Sequence, residues 1–322
     1  MDKRVGQGWT VAEIPSQAGR RVLITGANSG IGYYTALELA RKGAHVLLGC
    51  RDQGKGERAL ARIRAEVPAA SAEVVLLDLA SLASVRAFAA AELRLGIPLD
   101  LLINNAGVMA PKRRMQTADG FEIQFGTNVL GHFALTAMLM PALECAVERQ
   151  MERPRVVTLA SIAHKQGRLN FDDLQSLKSY SPMGAYRQSK LADLMLAFEL
   201  DRRLRGAGTP LSGVMSVAAH PGIANTNLFQ VGDYHPAERM ARRGIAVIIG
   251  ALLNSEAEGA VPTLFAATSD SVVDGGYYGP QGFLETRGGD AGPAKVAERA
   301  LDAEAAGRLW RECERLTGIA LL

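Results

Sequence analysis

With 322 residues, 48% of them hydrophobic and 21% charged, the chain has the composition of a globular protein with a sizeable core, not that of a disordered or fibrous one. Its net charge of +3 comes from basic residues interspersed with acids rather than gathered in a block, which speaks against nucleic acid as the main partner. The three cysteines, Cys50, Cys145 and Cys313, are odd in number and far apart; with an amino terminus lacking a signal peptide's apolar core, this argues against a disulfide framework and leads us to expect a cytoplasmic protein.

Residues 1–20 read as a polar lead-in carrying Trp9, Ile14 and Pro15, draped over the domain that begins at the first strand. The apolar run Arg21-Val22-Leu23-Ile24 predicts that strand. It breaks into Thr25-Gly26-Ala27-Asn28-Ser29-Gly30-Ile31-Gly32 and resumes as a helical pattern through Leu37, Leu39 and Ala40. Glycines at such a turn let the backbone approach a phosphate, and the helix start behind them offers free N–H groups and a positive dipole end. A tight turn without a ligand uses the same residues; the placement after a first strand and before an amphipathic helix favours the dinucleotide reading.

Ala44 to Cys50 reads as the second strand, whose end meets the adenosine ribose in a dinucleotide fold. An acid there would bind the 2′-hydroxyl of NAD. The chain instead has Cys50 followed by Arg51, and a guanidinium suits a 2′-phosphate by charge and by its planar fork of donors, favouring NADP(H) over NAD(H). Asp52 follows at once, and a plain surface arginine is the alternative.

A helix over 55–66, a strand over Ala72–Asp78, a helix over 82–93 and a strand over Leu99–Ile103 come next, the last ending in Asn104-Asn105-Ala106-Gly107. Strands and helices alternating through short joins predict right-handed crossovers and a parallel sheet, with ligands at the carboxyl ends of its strands. The glycine turn, Arg51, Asp78 and the Asn-Asn-Ala-Gly run all fall there.

Residues 118–147 contain a long helix carrying Asn128, where a buried asparagine is more often structural than catalytic, and His132, read as a packed core residue. Pro154–Ala160 predicts a fifth strand that delivers Ser161, and a loop from Ile162 to Pro182 precedes the next helix. There Tyr186 and Lys190 stand four apart ahead of an apolar stripe at Leu191, Leu194, Met195, Phe198 and Leu200. They therefore share a helix face, and a cation beside a phenol stabilises the phenolate, making an acid/base device. Alone this spacing is more often a solvated helix face.

Leu211–Ala219 reads as a sixth strand, ending in His220-Pro221-Gly222-Ile223-Ala224-Asn225-Thr226. Residues 227–255 are read as a substrate lid or a helix packed on the sheet, and their apolar run from Ile245 to Leu253 is too short to span a bilayer. Gly275–Pro280 predicts a seventh strand, and residues 281–322 end in an amphipathic helix around Leu309, Trp310 and Leu316. With no internal repeat, low-complexity tract or linker, the chain reads as one domain over 1–322, and no metal site is expected.

In order, Thr25-Gly26-x-x-x-Gly30-x-Gly32, Asn104-Asn105-Ala106-Gly107, Asn128, Ser161, Tyr186-x-x-x-Lys190 and Pro221-Gly222-x-x-x-Thr226 resemble the short-chain dehydrogenases/reductases over roughly residues 20–280. Cys50-Arg51-Asp52, Asn128-x-x-Gly131-His132-Phe133, Ala160-Ser161-x-Ala163-His164 and the long gap from Ser161 to Tyr186 look most like the retinol dehydrogenase-like branch. Lacking that branch's amino-terminal anchor, the chain looks more like its soluble bacterial relatives. Ala160 stands where the branch usually has the first of two serines, leaving Ser161 as the local hydroxyl.

The resemblance implies a single-domain Rossmann fold, a doubly wound parallel seven-stranded sheet with helices on both faces. It also implies an NADP(H)-dependent oxidoreductase interconverting an alcohol and an aldehyde or ketone. Ser161 would hold the substrate oxygen while Tyr186 gives or takes its proton, Lys190 would support Tyr186 and bond the nicotinamide ribose, and Asn128 would hold a water linking Lys190 to solvent. Gly26, Ser29 and Ile31 would line the pyrophosphate, Asn28 and Arg51 the 2′-phosphate, Asp78 the adenine, Asn105 the adenosine-side wall and Thr226 the carboxamide. Gly30, Gly32, Leu79, Ala106, Gly107, Pro221, Gly222 and Ile223 complete the cofactor site. Relatives pair through the helices carrying Asn128 and Tyr186, so a homodimer or homotetramer is the implied assembly, with a small lipophilic alcohol or carbonyl compound as partner and no membrane span. Two rivals are a cofactor-binding regulator without turnover and an extended-branch sugar epimerase or dehydratase. The intact Asn128, Ser161, Tyr186 and Lys190 speak against the first. The glycine spacing and the lack of a large carboxyl-terminal domain speak against the second.

Overall fold

The computed structural model describes residues 8–149, 152–208, 210–223 and 254–322. Its strands are β1 (Arg21–Thr25), β2 (His45–Cys50), β3 (Ala72–Leu76), β4 (Leu101–Asn104), β5 (Arg155–Leu159), β6 (Met215–Ala219), β7 (Tyr277–Pro280) and β8 (Ala291–Pro293). They form one sheet in the order β3-β2-β1-β4-β5-β6-β7-β8, parallel up to β7. The eighth strand corrects the expected seven. It runs antiparallel to β7 at the edge, and its three residues, Ala291-Gly292-Pro293, carry no alternating pattern that a sequence could display.

The helices are α1 (Gly30–Arg41), α2 (Gln53–Glu66), α3 (Leu82–Leu95), α4 (Gly131–Glu148), α5 (Pro182–Gly206), α6 (Glu256–Thr268) and α7 (Ala303–Thr317). Side chains alternate across the sheet with the period of two that strands impose. Leu23, Leu47, Leu102 and Val156 join residues of α3, α4, α5 and α7 in one core. Val22, Ile24, Leu48, Ile103 and Val157 join α1, α2 and α6 in the other. The sequence sets where the helices begin: Asp52, Ser81, Ser181, Ser255 and Asp302 each accept a backbone N–H as amino-terminal caps.

The lead-in is described from Gly8 onward. Trp9 bridges to Ala291 and meets Phe265 edge-on at 5.3 Å, and Ile14 is buried. The long helix expected within 118–147 is there, a π-helical segment, Phe125–Leu130, leading into α4. The expected sixth strand begins only at Met215, after a short 3-10 turn at Pro210–Gly213. Residues 227–253 of the expected lid lie outside the described residues. Among the described residues, Phe125–Glu148 is by length and composition alone apolar enough to cross a membrane, which the shorter Ile245–Leu253 run is not. In the fold, 72% of the most apolar window of Phe125–Glu148 is buried, in the core beside the sheet.

The sheet order places β1 beside β4 although β2 and β3 intervene in sequence. The connections thus leave β1 toward opposite sides, and a crevice opens at the carboxyl ends of β1 and β4. Gly26–Gly32 and Asn104–Gly107 meet there.

Candidate active site

Thr25, the last residue of β1, ties the two loops together. Its Oγ1 accepts from the N–H groups of Asn105 and Ala106, both at 2.9 Å, and its carbonyl accepts from Asn105 Nδ2 at 2.7 Å. Gly26 has φ +68°, where a side chain is strained, and a Cβ there would come 3.0 Å from Ala106 Cα. At Gly32 a Cβ would meet both Asn105 Nδ2 and the Gly26 carbonyl oxygen at 2.5 Å. The loop is therefore built for close backbone approach. Ser29 caps α1 without a side-chain hydrogen bond, and no acid stands in the helix's first turn, so its amino-terminal N–H groups and dipole are open to an anion. A pyrophosphate fits this cradle.

Along the crevice, Arg51 is exposed and has no ion pair among the described residues. The neighbouring Asp52 carboxylate accepts the Lys55 N–H at 2.9 Å as the α2 cap, which occupies it away from a ribose. Asp78, two residues past the end of β3, folds back to accept the Ala80 N–H at 3.0 Å, and Leu79 is buried against Gly131.

Asn128 lies in the π-helical segment, a helix irregularity often found at functional sites. Its side chain clasps Val108, accepting from its N–H at 2.8 Å and donating to its carbonyl at 3.1 Å, and donates to Ser189 Oγ at 2.9 Å. Its own carbonyl meets His132 Nδ1 at 2.8 Å, while His132 Nε2 meets Thr25 Oγ1 at 2.9 Å. His132 is thus buried as expected, yet it also wires the Asn128 turn to the end of β1.

Ser161 follows β5 and caps the 3-10 turn Ile162–Gln166, its Oγ accepting the Ala163 N–H at 3.2 Å. On α5, Tyr186 is 8% exposed, and its hydroxyl has no hydrogen-bond partner among the described residues. Lys190 Nζ donates to the Leu159 carbonyl and to Asp193 Oδ2, each at 2.8 Å. A Cβ on Gly107 would stand 3.5 Å from Asn128 Oδ1 and 4.0 Å from Lys190 Nζ, so the Asn-Asn-Ala-Gly loop, Asn128 and Lys190 share one space. Pro221-Gly222-Ile223 closes the far side. Gly222 has φ +72°, Ile223 N–H donates to the Thr286 carbonyl at 2.8 Å, and Asn254 Nδ2 donates to the Pro221 carbonyl at 3.2 Å. Thr226 lies outside the described residues.

Sequence reasoning missed a polar group behind these loops. His164 Nδ1 lies 2.6 Å from the Ser161 carbonyl, and Tyr277 Oη lies 3.4 Å from that nitrogen. His220 Nδ1 accepts the Gly222 N–H at 3.2 Å. Two of these side chains sit beside recognisable motifs, which is the signal that could have found them: His164 three residues after Ser161 and His220 just before Pro221.

Burial drives His132 and His220 each down to about 3. Their folded values lie below the ordinary 6.5, so the unfolded chain binds more protons between about pH 6.5 and 3. Stability is therefore lost as the pH falls through that window, at roughly 1.4 kcal/mol per pH unit for each imidazole. Asp193, raised to about 6 by its own burial, opposes one of them between about 6 and 3.8. The net expectation is a melting temperature that falls from pH 6.5 to 4, checked by thermal melts of the cofactor-free protein; a flat profile would contradict the two neutral buried imidazoles.

The chain matches the short chain dehydrogenase family over residues 20–233. It is 40% identical to retinol dehydrogenase 13 of Homo sapiens over 311 residues, covering 95% of this chain and 87% of that protein. It is also 40% identical to polyprenol dehydrogenase of Mus musculus over 307 residues, covering 95% and 86%. Among solved structures, an uncharacterized protein from Mycobacterium paratuberculosis superposes with a TM-score of 0.76 at 41% identity, covering 98% of this chain and all of that one. Two more distant neighbours were solved with nucleotide. A gluconate 5-dehydrogenase-like protein of Beutenbergia cavernae with bound NADP has a TM-score of 0.61 at 28% identity, covering 81% and 95%. A short-chain dehydrogenase of Burkholderia phymatum with NAD has 0.58 at 26%, covering 78% and 86%.

Proposed function

The chain belongs to the short-chain dehydrogenase/reductase family, and we propose that it is an NADP(H)-dependent oxidoreductase interconverting a lipophilic alcohol and its aldehyde or ketone. The observation that carries this reading is the Tyr186 hydroxyl, without a hydrogen-bond partner among the described residues, on the helix face that also bears Lys190, whose ammonium shares a space with Asn128 and Gly107. A substrate oxygen is the partner that such a hydroxyl lacks.

Gly26, Asn28, Ser29, Gly30, Ile31 and Gly32 would hold the dinucleotide's phosphates, with Asp78, Leu79, Asn105, Ala106 and Gly107 along the adenosine side. Tyr186, Lys190, Pro221, Gly222, Ile223 and Thr226 would surround the nicotinamide half. When bound, the nicotinamide supplies or accepts the hydride; the protein supplies position and field. In the reducing direction Tyr186 Oη delivers its proton to the substrate oxygen as negative charge builds there, and Ser161 Oγ donates a hydrogen bond to the same atom. In oxidation Tyr186 takes that proton back. The Lys190 ammonium stabilises the phenolate left behind.

NADP(H) is proposed over NAD(H) because Arg51 has no ion pair among the described residues while Asp52 is occupied as a helix cap. Arg51→Ala is expected to weaken NADPH by roughly 10- to 100-fold and NADH by no more than a few-fold, in line with one lost charge-assisted contact. Fluorescence titrations of both nucleotides decide it, and equal losses would sink the 2′-phosphate role.

The lipophilic substrate is supported by the relatives' names, retinol and polyprenol being apolar alcohols. It is also supported by the exposed apolar side chains of Ile223 and Phe283, which flank the Ile223–Thr286 contact. The experiment is NADPH consumption against carbonyls running from small ketones to long-chain and isoprenoid aldehydes. Turnover confined to small polar carbonyls would overturn the substrate class, and tight nucleotide binding without any turnover would favour the regulatory alternative.

A further inference from the structure

Lys190 finds its charge partner on its own helix, three residues on, in Asp193. The two side chains are only 7% and 4% exposed, so this is a fully interior ion pair. A carboxylate in such a place is costly unless paired and hydrated, and a buried ammonium without its partner tends to shed its proton. We propose that Asp193 is a positioning residue of the active site, whose carboxylate keeps the Lys190 amine charged and aimed, and so acts on proton transfer at Tyr186 through Lys190. The inference rests on Tyr186 and Lys190 being the reacting pair.

A second observation supports a working carboxylate at this position. Asp193 lines a partly enclosed cavity of about 30 Å³ together with the polar side chains of Asn104, His132, Thr136 and Thr158. A water needs about 10–15 Å³ of such space and two or more polar partners, so the cavity accommodates one or two. Asn104, which donates to Thr136 Oγ1 at 3.0 Å, has its buried Oδ1 without a partner among the described residues. The site can therefore hydrate Asp193 from behind while Lys190 neutralises it in front.

Other titratable groups bear on the pair from each side. Tyr186 comes from α5 itself, His132 from α4 and Cys313 from α7, while β5 faces it with the Leu159 carbonyl. The 3-10 turn Ile162–Gln166 directs Lys165 to Glu285 and His164 to Tyr277 instead. Burial holds His132 near 3 and pushes the Cys313 thiol far up, so both stay neutral across the working range. Burial also raises Asp193 to about 6 against the attraction of Lys190. At Lys190 burial opposes the charge, but Asp193 and Tyr186 overcome it and lift the amine above its ordinary value. The Asp193 carboxyl is thus half ionised near pH 6, and the ion pair becomes complete as the pH rises above that value.

The test is Asp193→Asn, which keeps volume and an acceptor but removes the charge. Its kcat, and its NADPH affinity by fluorescence titration, are each taken as a ratio to wild type from about pH 5 to pH 9. The ratios are expected to approach one below about pH 6, where the wild-type carboxyl is itself protonated. They should fall about tenfold or more toward pH 9, as the unsupported ammonium gives up its proton. Asp193→Ser, whose smaller side chain leaves room for water beside the cavity, is a second neutral variant with the same expectation should the amide fail to fold. Asp193→Glu restores the charge and should return the ratios to a flat profile. Neutral variants whose ratios stay constant with pH would overturn the proposal, because a uniform loss is what a merely structural residue gives. Failure of the underlying reading looks different: Tyr186→Phe would then remain active, whatever Asp193 does.

Discussion

Replacing Tyr186 by phenylalanine is expected to lower turnover by about a thousandfold while leaving NADPH affinity nearly unchanged, the largest effect any single atom of this protein should have on its chemistry. The clean separation follows from what the hydroxyl touches. It has no hydrogen-bond partner among the described residues, so its removal orphans no buried group there and should cost stability no more than about 0.5 kcal/mol. The ring stays and keeps its packing on α5. Ser161→Ala, by contrast, mixes two losses, because the same Oγ that would bond the substrate caps the Ile162–Gln166 turn. A missing cap costs about 1 kcal/mol on its own. Steady-state kinetics with one accepted aldehyde, an NADPH titration and a thermal melt on the Tyr186 variant distinguish the cases. Activity within tenfold of wild type would remove Tyr186 from its role, and loss of NADPH binding along with activity would mean that the phenol serves the cofactor rather than the reaction.

What could be read in advance was whatever depends on local pattern. Alternating strand and helix periods announced the parallel sheet, and Gly26, Gly30 and Gly32 marked a turn whose tightness the backbone contacts bear out. Strand ends could be placed because each lay beside a change of period, so Asn105 and Ser161 were read just past the carboxyl ends of β4 and β5, where they stand. What escaped depended on partners far off in the chain. β8 exists only because β7 offers an edge, and Ala291–Pro293 carries no strand signal of its own. His132 read as packing, and nothing local reveals that its ring spans Thr25 and Asn128. Asp193 was invisible for a different reason. An acid on a helix reads as a solvated face until the neighbouring layer is known, and here α7 lays Trp310, Leu309 and Cys313 into the core that α4 and α5 share. The i,i+3 spacing to Lys190 was in plain sight, but only burial gives it meaning.

Gly32→Ala should be the most damaging small change to cofactor binding, because two opposed effects meet there and their sizes differ. Alanine within a helix is ordinarily preferred to glycine by about 0.5–1 kcal/mol. At Gly32 the new methyl would stand 2.5 Å from the Gly26 carbonyl oxygen, a backbone atom that cannot rotate away, and 2.5 Å from Asn105 Nδ2, which is held by the Thr25 carbonyl at 2.7 Å. Relief requires α1 to retreat from the end of β1 or Asn105 to abandon Thr25, and overpacking of this kind costs about 1–3 kcal/mol. Either movement displaces the N–H groups that would face the pyrophosphate, so NADPH affinity should fall at least about tenfold and the melting temperature by several degrees. Gly54→Ala supplies the internal control. Its Cβ would lie 3.5 Å from Arg58 Nη1, an ordinary contact on α2, so the helix preference should act unopposed and leave the protein as stable as before or slightly more so. If the Gly32 variant melted and bound NADPH like the Gly54 variant, the close approach of α1 to β1 would have no part in holding the dinucleotide.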